Sequence, residues 1–148
     1  VVGVDGLGRR RALLLDMDGV STALQSGDDA LELHVERGAD LTADTWHAAL
    51  TETLDHYRHH FPERRPRAVF MVSWLLDPVV RSLLPDTARI LRFQSLFRLY
   101  PARYDEVYAR DCVLAAPASR PTSLQRALLD LERVGGRLRE GGGFLLLP

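Results

Sequence analysis

The order of apolar and polar positions predicts strands at both ends of the chain and in its middle. Residues 9–17 are predicted as a strand from their apolar centre, and residues 31–35 from strict alternation of apolar and polar side chains. We expect these two strands to pair as a hairpin. Residues 68–76 form a nearly continuous apolar run, which is typical of a central strand covered on both faces. Residues 141–148 are predicted to end the chain as a short strand.

Two helices are predicted from apolar residues that recur at helical spacing. In residues 42–61 the apolar side chains fall on one face, and Thr42 is a suitable N-cap. In residues 122–134 the apolar face is equally regular, and Thr122 and Gln125 have the spacing of a capping box. Both segments therefore have a helical face and a start signal.

The remaining segments give a less regular pattern. Asp77 and Pro78 are expected to open a short helix. In residues 88–100 most apolar side chains fall at every second position, which predicts a strand with one apolar face. Residues 101–114 fit a short helix or another strand. The complete order predicts an α/β (α+β) fold with one mixed sheet flanked by helices, as a single domain over residues 1–148.

Composition and charge exclude several classes of function. The chain has 148 residues, 46% of them hydrophobic, and a net charge of -1, which gives no reason to expect a nucleic-acid partner. No apolar run approaches the ~20 residues of a membrane-spanning helix, no secretory signal opens the sequence, and the single cysteine fits a reducing, cytoplasmic location. All 19 basic residues are arginine, which excludes lysine-amine chemistry within the chain. Cys112 is the only cysteine, which excludes an intrachain disulfide.

The stretch RALLLDMDGV, residues 11–20, suggests phosphatase chemistry. A strand that ends in Asp16 and Asp18 resembles the first motif of haloacid-dehalogenase-type phosphatases, where the two carboxylates act as nucleophile and acid/base. Ser73 could supply the hydroxyl of a second strand, but lysine is absent and no later strand ends in an acidic pair suited to Mg²⁺. We therefore interpret residues 16–19 as a turn at a strand end, and the phosphatase as a distant third hypothesis.

Histidines near the end of the first predicted helix raise the question of a metal site. His56 and His60 are one turn apart and Glu52 extends the same row, a spacing that can hold zinc. The helix dipole alone also favours histidine at a helix C-terminus. Because no further ligand is evident in the sequence, no metal is expected.

A broader resemblance covers the chain from about residue 31 to its end. Its most specific pieces are SWLLDP at residues 73–78, FQSLF at residues 93–97 and TSLQR at residues 122–126. In order and spacing they resemble the C-terminal domain of the GNAT-like acyltransferases, in which a small N-terminal domain precedes a domain of the N-acetyltransferase (GNAT) type. The resemblance implies a mixed, mostly antiparallel sheet flanked by helices, and a chain that could be the C-terminal half of a larger protein.

The resemblance also implies that the domain transfers an acyl group from acyl-CoA to a small acceptor. In such folds a central strand splays from its neighbour, and backbone amides at the following helix start bind the CoA pyrophosphate. This arrangement indicates a CoA site made of Ser73, Trp74, Leu75, Leu76, Val79 and Val80. The usual glycine-rich loop is missing there, because the sequence has no glycine between Gly38 and Gly135.

Catalysis in such a fold needs an acid for the leaving thiolate, and the resemblance indicates Tyr104, Tyr108 or Cys112. Gln94 and Arg98, expected on one face of a strand, could border a substrate cleft. The alternative for the tyrosines and the cysteine is that they are partly buried packing residues. The alternative for Gln94 and Arg98 is that they face solvent. The expected partners are an acyl donor and acceptor, a preceding N-terminal domain and a second copy of the chain in a homodimer, without nucleic acid or a membrane. The alternative function is a non-catalytic GNAT-like interaction or scaffold domain.

Overall fold

The computed structural model describes residues 24–25, 27–100, 106–115 and 121–147, which fold around a four-stranded sheet. The strands are β1 (Ala30–Glu32), β2 (Ala68–Ser73), β3 (Arg98–Tyr100) and β4 (Gly141–Leu146), and they lie in the order β1-β2-β4-β3. β1 and β2 are parallel, whereas β4 runs antiparallel to both β2 and β3. The predicted mixed, mostly antiparallel sheet flanked by helices is thus confirmed.

The two helices with regular apolar faces form as predicted. α1 (Ala43–His60) connects the parallel strands β1 and β2, as a parallel pair requires a crossover. α5 (Ser123–Arg133) begins with the predicted capping box: the Gln125 N–H donates to the Thr122 hydroxyl oxygen at 3.2 Å, and the Thr122 N–H donates to Gln125 Oε1 at 2.8 Å. These reciprocal bonds satisfy two backbone donors that a helix start leaves without partners.

Only the first part of the apolar run at residues 68–76 is a strand, so this strand is shorter than predicted. β2 stops at Ser73, and a 3₁₀ turn (Trp74–Leu76) follows. The Ser73 hydroxyl accepts a hydrogen bond from the Leu75 N–H, which bends the chain away from the sheet. The short helix α2 (Val80–Leu83) then follows Asp77 and Pro78, close to its predicted position.

The prediction of one strand over residues 88–100 is wrong for its first half. The segment forms α3 (Arg89–Gln94), then a turn, and only its last three residues form β3. The rings of Phe93 and Phe97 pack at a tilt of 57° with centroids 5.3 Å apart, and Phe93 meets Trp46 of α1 edge-on at 5.8 Å. Alternation and helical spacing both fit this short segment, and contacts with α1 favour the helix.

The ambiguous segment before the last helix contains α4 (Glu106–Leu114), so its described part is helical. The predicted strand at residues 9–17, and with it the hairpin, lies outside the described residues. No helix in the described ranges combines the length and apolarity needed to cross a membrane.

Two apolar clusters hold these elements together. The first packs α1, α3 and the 3₁₀ turn on one face of the sheet around Trp46, Met71 and Phe97. The second packs α4 and α5 against α2 around Val80, Ala109 and Leu128. Trp74 contacts both clusters, which places the end of β2 at the junction of the two layers.

Candidate functional site

The parallel strands β1 and β2 separate after three paired residues. Their ladder runs from Ala30 opposite Ala68 to Glu32 opposite Phe70, and the Leu33 N–H adds one further bond to the Phe70 carbonyl oxygen. β2 continues to Ser73 with only β4 beside it. A gap therefore opens between the C-terminal ends of two neighbouring parallel strands, the splay that the family resemblance implies.

Val72 directs its backbone polar groups toward this gap. In a strand the N–H and C=O of successive residues point to opposite sides, and Phe70 bonds to the β1 side. Val72 lies two residues further on and so faces the same side, beyond the last β1 residue of the ladder. Its amide and carbonyl are available to a ligand that lies between the strands.

A pocket of about 370 Å³ occupies this gap. It is formed by the loop after β1, the end of β2, α3 and α4. Its lining residues are Val35, Glu36, Arg37, Gly38, Ala39, Leu41, Ser73, Trp74, Leu75, Ile90, Tyr108 and Cys112. The walls combine apolar side chains with charged, hydroxyl and thiol groups, a mixture that can hold a small molecule and fix its orientation.

A tyrosine and a cysteine lie together in one wall of the pocket. Tyr108 and Cys112 are one turn apart on α4, as i and i+4 spacing requires. The hydrogen bond between the phenol and the Cys112 sulfur, together with the repulsion that an ionised Cys112 would exert, raises the pKa of Tyr108 above 10.0. The Tyr108 side chain is 58% exposed and therefore accessible as a neutral proton donor.

The loop that leads from β1 into α1 supplies positive charge. Arg37 lines the pocket, and within the described residues no acidic side chain lies at ion-pair distance from it. Gly38 follows with a φ of +84°, a left-handed conformation that glycine adopts without strain. The loop leads into α1 at Ala43, and the N-terminal end of this 18-residue helix carries the positive end of its dipole.

Two carboxylates at the start of α1 act against this positive potential. Asp40 accepts hydrogen bonds from the Thr42 hydroxyl at 3.0 Å, from the Thr42 N–H at 3.2 Å and from the Thr45 hydroxyl at 3.2 Å. The Thr42 hydroxyl bond is the main cause that lowers the pKa of Asp40 below 3.8, and the charge of Arg89 adds to it. Asp44 adds a second negative charge in the first turn.

Five of the residues singled out from the sequence line this pocket: Ser73, Trp74, Leu75, Tyr108 and Cys112. The fold brings the end of β2 within one cavity of α4, although more than thirty residues separate them in the sequence. Tyr104, the third candidate acid, lies outside the described residues, as do Asp16 and Asp18.

The expected crevice at the start of α2 is not the place where the structure opens. The Val79 N–H donates to Asp77 Oδ1 at 3.0 Å, so a side chain of the protein already occupies that donor. The side chains of Leu76 and Val80 are completely buried in the two apolar clusters. Because α2 has only four residues, its dipole is also weak. Leu76, Val79 and Val80 are therefore not part of the candidate site.

Gln94 and Arg98 do not share a strand face, which corrects that prediction. Gln94 ends α3 and is completely buried, whereas Arg98 opens β3 and is exposed. Neither side chain lines the pocket between β1 and β2. The error arises from interpreting a helix and a turn as strand.

The loop after β1 was missed by sequence reasoning. The sequence shows a strand, then Arg37 and Gly38, then a helix start at Thr42, and this order is itself a phosphate-binding signal. The longer apolar strand at residues 68–76 gives the stronger signal, so the sequence analysis considered only the segment after it. β1 has only three residues, so little in its pattern points to the loop beyond it.

Two other hollows lie apart from this pocket. One of about 700 Å³ runs along the exposed side of α1 by His47, Glu52 and His56. Within the described part of the chain, no three metal-binding side chains are grouped around one point. The other, of about 360 Å³, lies between α1 and the arginine-rich loop before β2.

A comparison with known protein families decides the family. The family model described as "GNAT-like C-terminal domain" matches residues 9–145 of this chain. The chain belongs to this family. Residues 9–145 include almost the whole sheet, both walls of the pocket and α5, so the GNAT-like domain carries the candidate site. No curated protein matches the sequence.

Solved acyltransferases share the fold of this GNAT-like domain. An acyltransferase in complex with decanoyl-CoA is 24% identical, superposes with a TM-score of 0.72, and is matched over 84% of this chain and 42% of its own. An acyltransferase complex with decanoyl-CoA and teicoplanin gives 23% identity and a TM-score of 0.69 over 80% and 41% of the two chains. The chain thus spans less than half the length of these proteins. At this level of identity they establish that this domain shares its fold with the matched part of those proteins.

Proposed function

We propose that this GNAT-like domain binds acyl-CoA in the pocket between β1 and β2 and transfers the acyl group to a small acceptor. The observation that carries the proposal is the pocket itself, where a cationic loop, an unpaired strand edge and a phenol meet. Arg37 and Tyr108 line the pocket, and Val72 directly precedes the lining residue Ser73 on the part of β2 that extends beyond the β1 ladder. They match the three chemically different parts of acyl-CoA: phosphates, pantetheine and thioester.

The phosphates would lie at the β1–α1 loop. Arg37 offers a guanidinium that suits a phosphate, and the first-turn N–H groups of α1 have no intrahelical acceptor. Thr42 does not cap them through its side chain within the described structure, since its hydroxyl faces Asp40. These donors are therefore available to an anion.

The pantetheine arm would extend along β2. It contains two amides, and the N–H and C=O of Val72 can pair with an amide as a neighbouring strand would. The apolar side chains of Trp74, Leu75 and Ile90 would cover its methylene groups. The arm would thus replace the part of β1 that has diverged.

The chemistry requires one bond to form and one to break. The acceptor nitrogen or oxygen attacks the thioester carbonyl carbon, and the C–S bond to CoA breaks as the tetrahedral intermediate collapses. Tyr108 would donate its phenolic proton to the departing thiolate, and Glu36, an acidic residue of the pocket lining, would receive the proton lost by the acceptor. A tyrosine phenol is protonated at neutral pH, and the raised pKa of Tyr108 does not change this state.

The acceptor is proposed only as a class, a small molecule with an amine or hydroxyl. A glycopeptide is the first acceptor to test, because one matched structure holds teicoplanin beside decanoyl-CoA. The identity to that protein is 23%, which supports the fold and leaves the acceptor to experiment.

Binding of acyl-CoA is the first test. Decanoyl-CoA at a hundred times its dissociation constant should stabilise the folded protein by about 2.7 kcal/mol, measured as a rise in Tm. Arg37→Ala should weaken binding by removing a phosphate contact. Arg65→Ala removes the same charge from the loop before β2, away from the pocket, and should leave the affinity unchanged. Equal affinity of the two variants would contradict the proposed phosphate site.

Turnover is the second test. Tyr108→Phe should lower kcat for acyl transfer by about 10²-fold or more, because it removes the acid, while the Kd for decanoyl-CoA changes little. Tyr57→Phe on α1 is the matched control, since it removes a phenol that lies outside the pocket. Full turnover in Tyr108→Phe would exclude this residue as the acid.

A non-catalytic interaction domain is the second candidate function. It is favoured by Asp40 and Asp44, whose charges beside the start of α1 oppose phosphate binding. If decanoyl-CoA, acetyl-CoA and free CoA all leave Tm unchanged, this candidate replaces the acyltransferase.

A further inference from the structure

The turn that follows β2 forms one wall of the pocket, and a buried amide side chain attaches it to α3. Trp74 and Leu75 of this 3₁₀ turn line the pocket, as does Ile90 of α3. Gln94, at the end of α3, reaches across to the turn with its side chain. It thereby connects two elements that supply pocket residues.

Each polar atom of the Gln94 amide is used. Nε2 donates to the Leu75 carbonyl oxygen at 3.1 Å and to the Asp77 carbonyl oxygen at 3.0 Å. Oε1 accepts from Arg81 Nε at 2.7 Å, which fixes which side of the amide faces the turn. The side chain has no exposed surface, so water does not replace these bonds easily.

The turn is also held from its other side. Asp77 accepts from the Val79 N–H with one carboxylate oxygen and from the Arg139 N–H at 2.6 Å with the other. Gly141 of β4 lies directly against the Leu76 carbonyl group. Leu75 has no comparable contact for its carbonyl oxygen in the described structure apart from Gln94.

From this geometry we propose that Gln94 is a positioning residue for the pocket wall. It holds Trp74 and Leu75 at a fixed separation from Ile90, and it touches neither the acyl donor nor the reacting atoms. The inference rests on the proposed function in that the positioned wall serves acyl-CoA. A displacement of even about 1 Å at such a wall is large compared with the tolerance of a binding site.

The test compares a variant of Gln94 with a variant that destabilises the fold without altering a pocket-lining residue. Gln94→Met keeps the length of the side chain and removes all three hydrogen bonds. Thr122→Ala removes the side-chain cap of α5, a helix that contributes no residue to the pocket lining. Well below both melting temperatures, Gln94→Met should raise the Kd for decanoyl-CoA about tenfold, whereas Thr122→Ala should leave it within about twofold of the original value.

A second measurement is independent of CoA binding. The chain contains two tryptophans, so in a Trp46→Phe background fluorescence reports Trp74 alone. Gln94→Met should increase acrylamide quenching of Trp74, because the turn loses its attachment to α3. Gln94→Glu, which keeps the acceptor for Arg81 but loses both donors to the turn, should give the same increase.

The two proposals fail in different ways. If the unmodified protein does not bind decanoyl-CoA but Gln94→Met exposes Trp74, the acyltransferase proposal fails and the positioning role stands. If Trp74 quenching in Gln94→Met equals that of the Trp46→Phe parent, Gln94 does not position the wall, whatever the affinity.

Discussion

Gly141→Ala tests how closely β4 approaches the 3₁₀ turn. A Cβ atom at position 141 would overlap the Leu76 carbonyl group and lie 2.6 Å from the Asp77 nitrogen. Ordinary contact begins near 3.4 Å, so the strand and the turn must separate by at least about 0.8 Å. Both obstacles are backbone atoms and cannot rotate away.

The neighbouring glycine provides a matched control. The three atoms nearest to a Cβ atom at Gly142 all belong to the Tyr100 side chain, with Cε2 and Cζ at 2.5 Å, and a side chain can turn aside. Each alanine restricts the unfolded chain equally and stabilises by about 0.4–1 kcal/mol on that account. The difference between the variants therefore isolates the backbone clash.

We expect Gly141→Ala to lose about 1–3 kcal/mol of unfolding free energy through overpacking, and Gly142→Ala clearly less. For a domain of this size that loss lowers Tm by about 2–4 °C per kcal/mol. Guanidinium unfolding measures it as a shift of the midpoint at constant slope. Equal losses in the two variants would refute the close approach of β4 to the turn.

Three further predictions concern single groups. Thr122→Ala should lower the unfolding free energy by about 1 kcal/mol in guanidinium unfolding, because it removes one side of the capping box; an unchanged midpoint would contradict this. Cys112→Ala should lower the pKa of Tyr108 toward 10.0 in an ultraviolet titration, since the raised pKa depends on the sulfur; the same curve in both proteins would show that it does not. The lowered pKa of Asp40 stabilises the fold above pH 3.8, and this contribution is lost as the pH falls through the folded-state pKa, so Asp40→Asn should weaken the acid dependence of Tm below about pH 4. If Tm falls equally steeply with decreasing pH in Asp40→Asn and in the unmodified protein, Asp40 does not contribute to the loss of stability in acid.

The sequence allowed the regular elements to be predicted because their signals are local. α1 and α5 have continuous apolar faces and recognisable start residues, and each forms where expected. β2 and β4 are apolar enough to be recognised as strands. The family resemblance, carried by three short motifs, indicated the correct sheet type.

The candidate site was predictable only in part. Ser73, Trp74 and Leu75 were identified because they come directly after an obvious strand, and Tyr108 and Cys112 because they are reactive types close together. Arg37 and Gly38 were not identified, because the strand before them has only three residues. The splay between β1 and β2 depends on where one ladder stops, which no local pattern records.

Gln94 shows most clearly what sequence and tertiary structure each determined. Its neighbours fit a strand and a helix equally well by pattern, and a glutamine there was expected to face a cleft or solvent. Packing of Phe93 on Trp46 selects the helix, and the helix directs the Gln94 amide into the interior. Local sequence determined which segments can be helix or strand, because capping and apolar spacing act within a few residues. The tertiary structure alone decided which polar side chains line the pocket, which support its wall and which face solvent, because these positions depend on contacts between segments that are distant in the sequence.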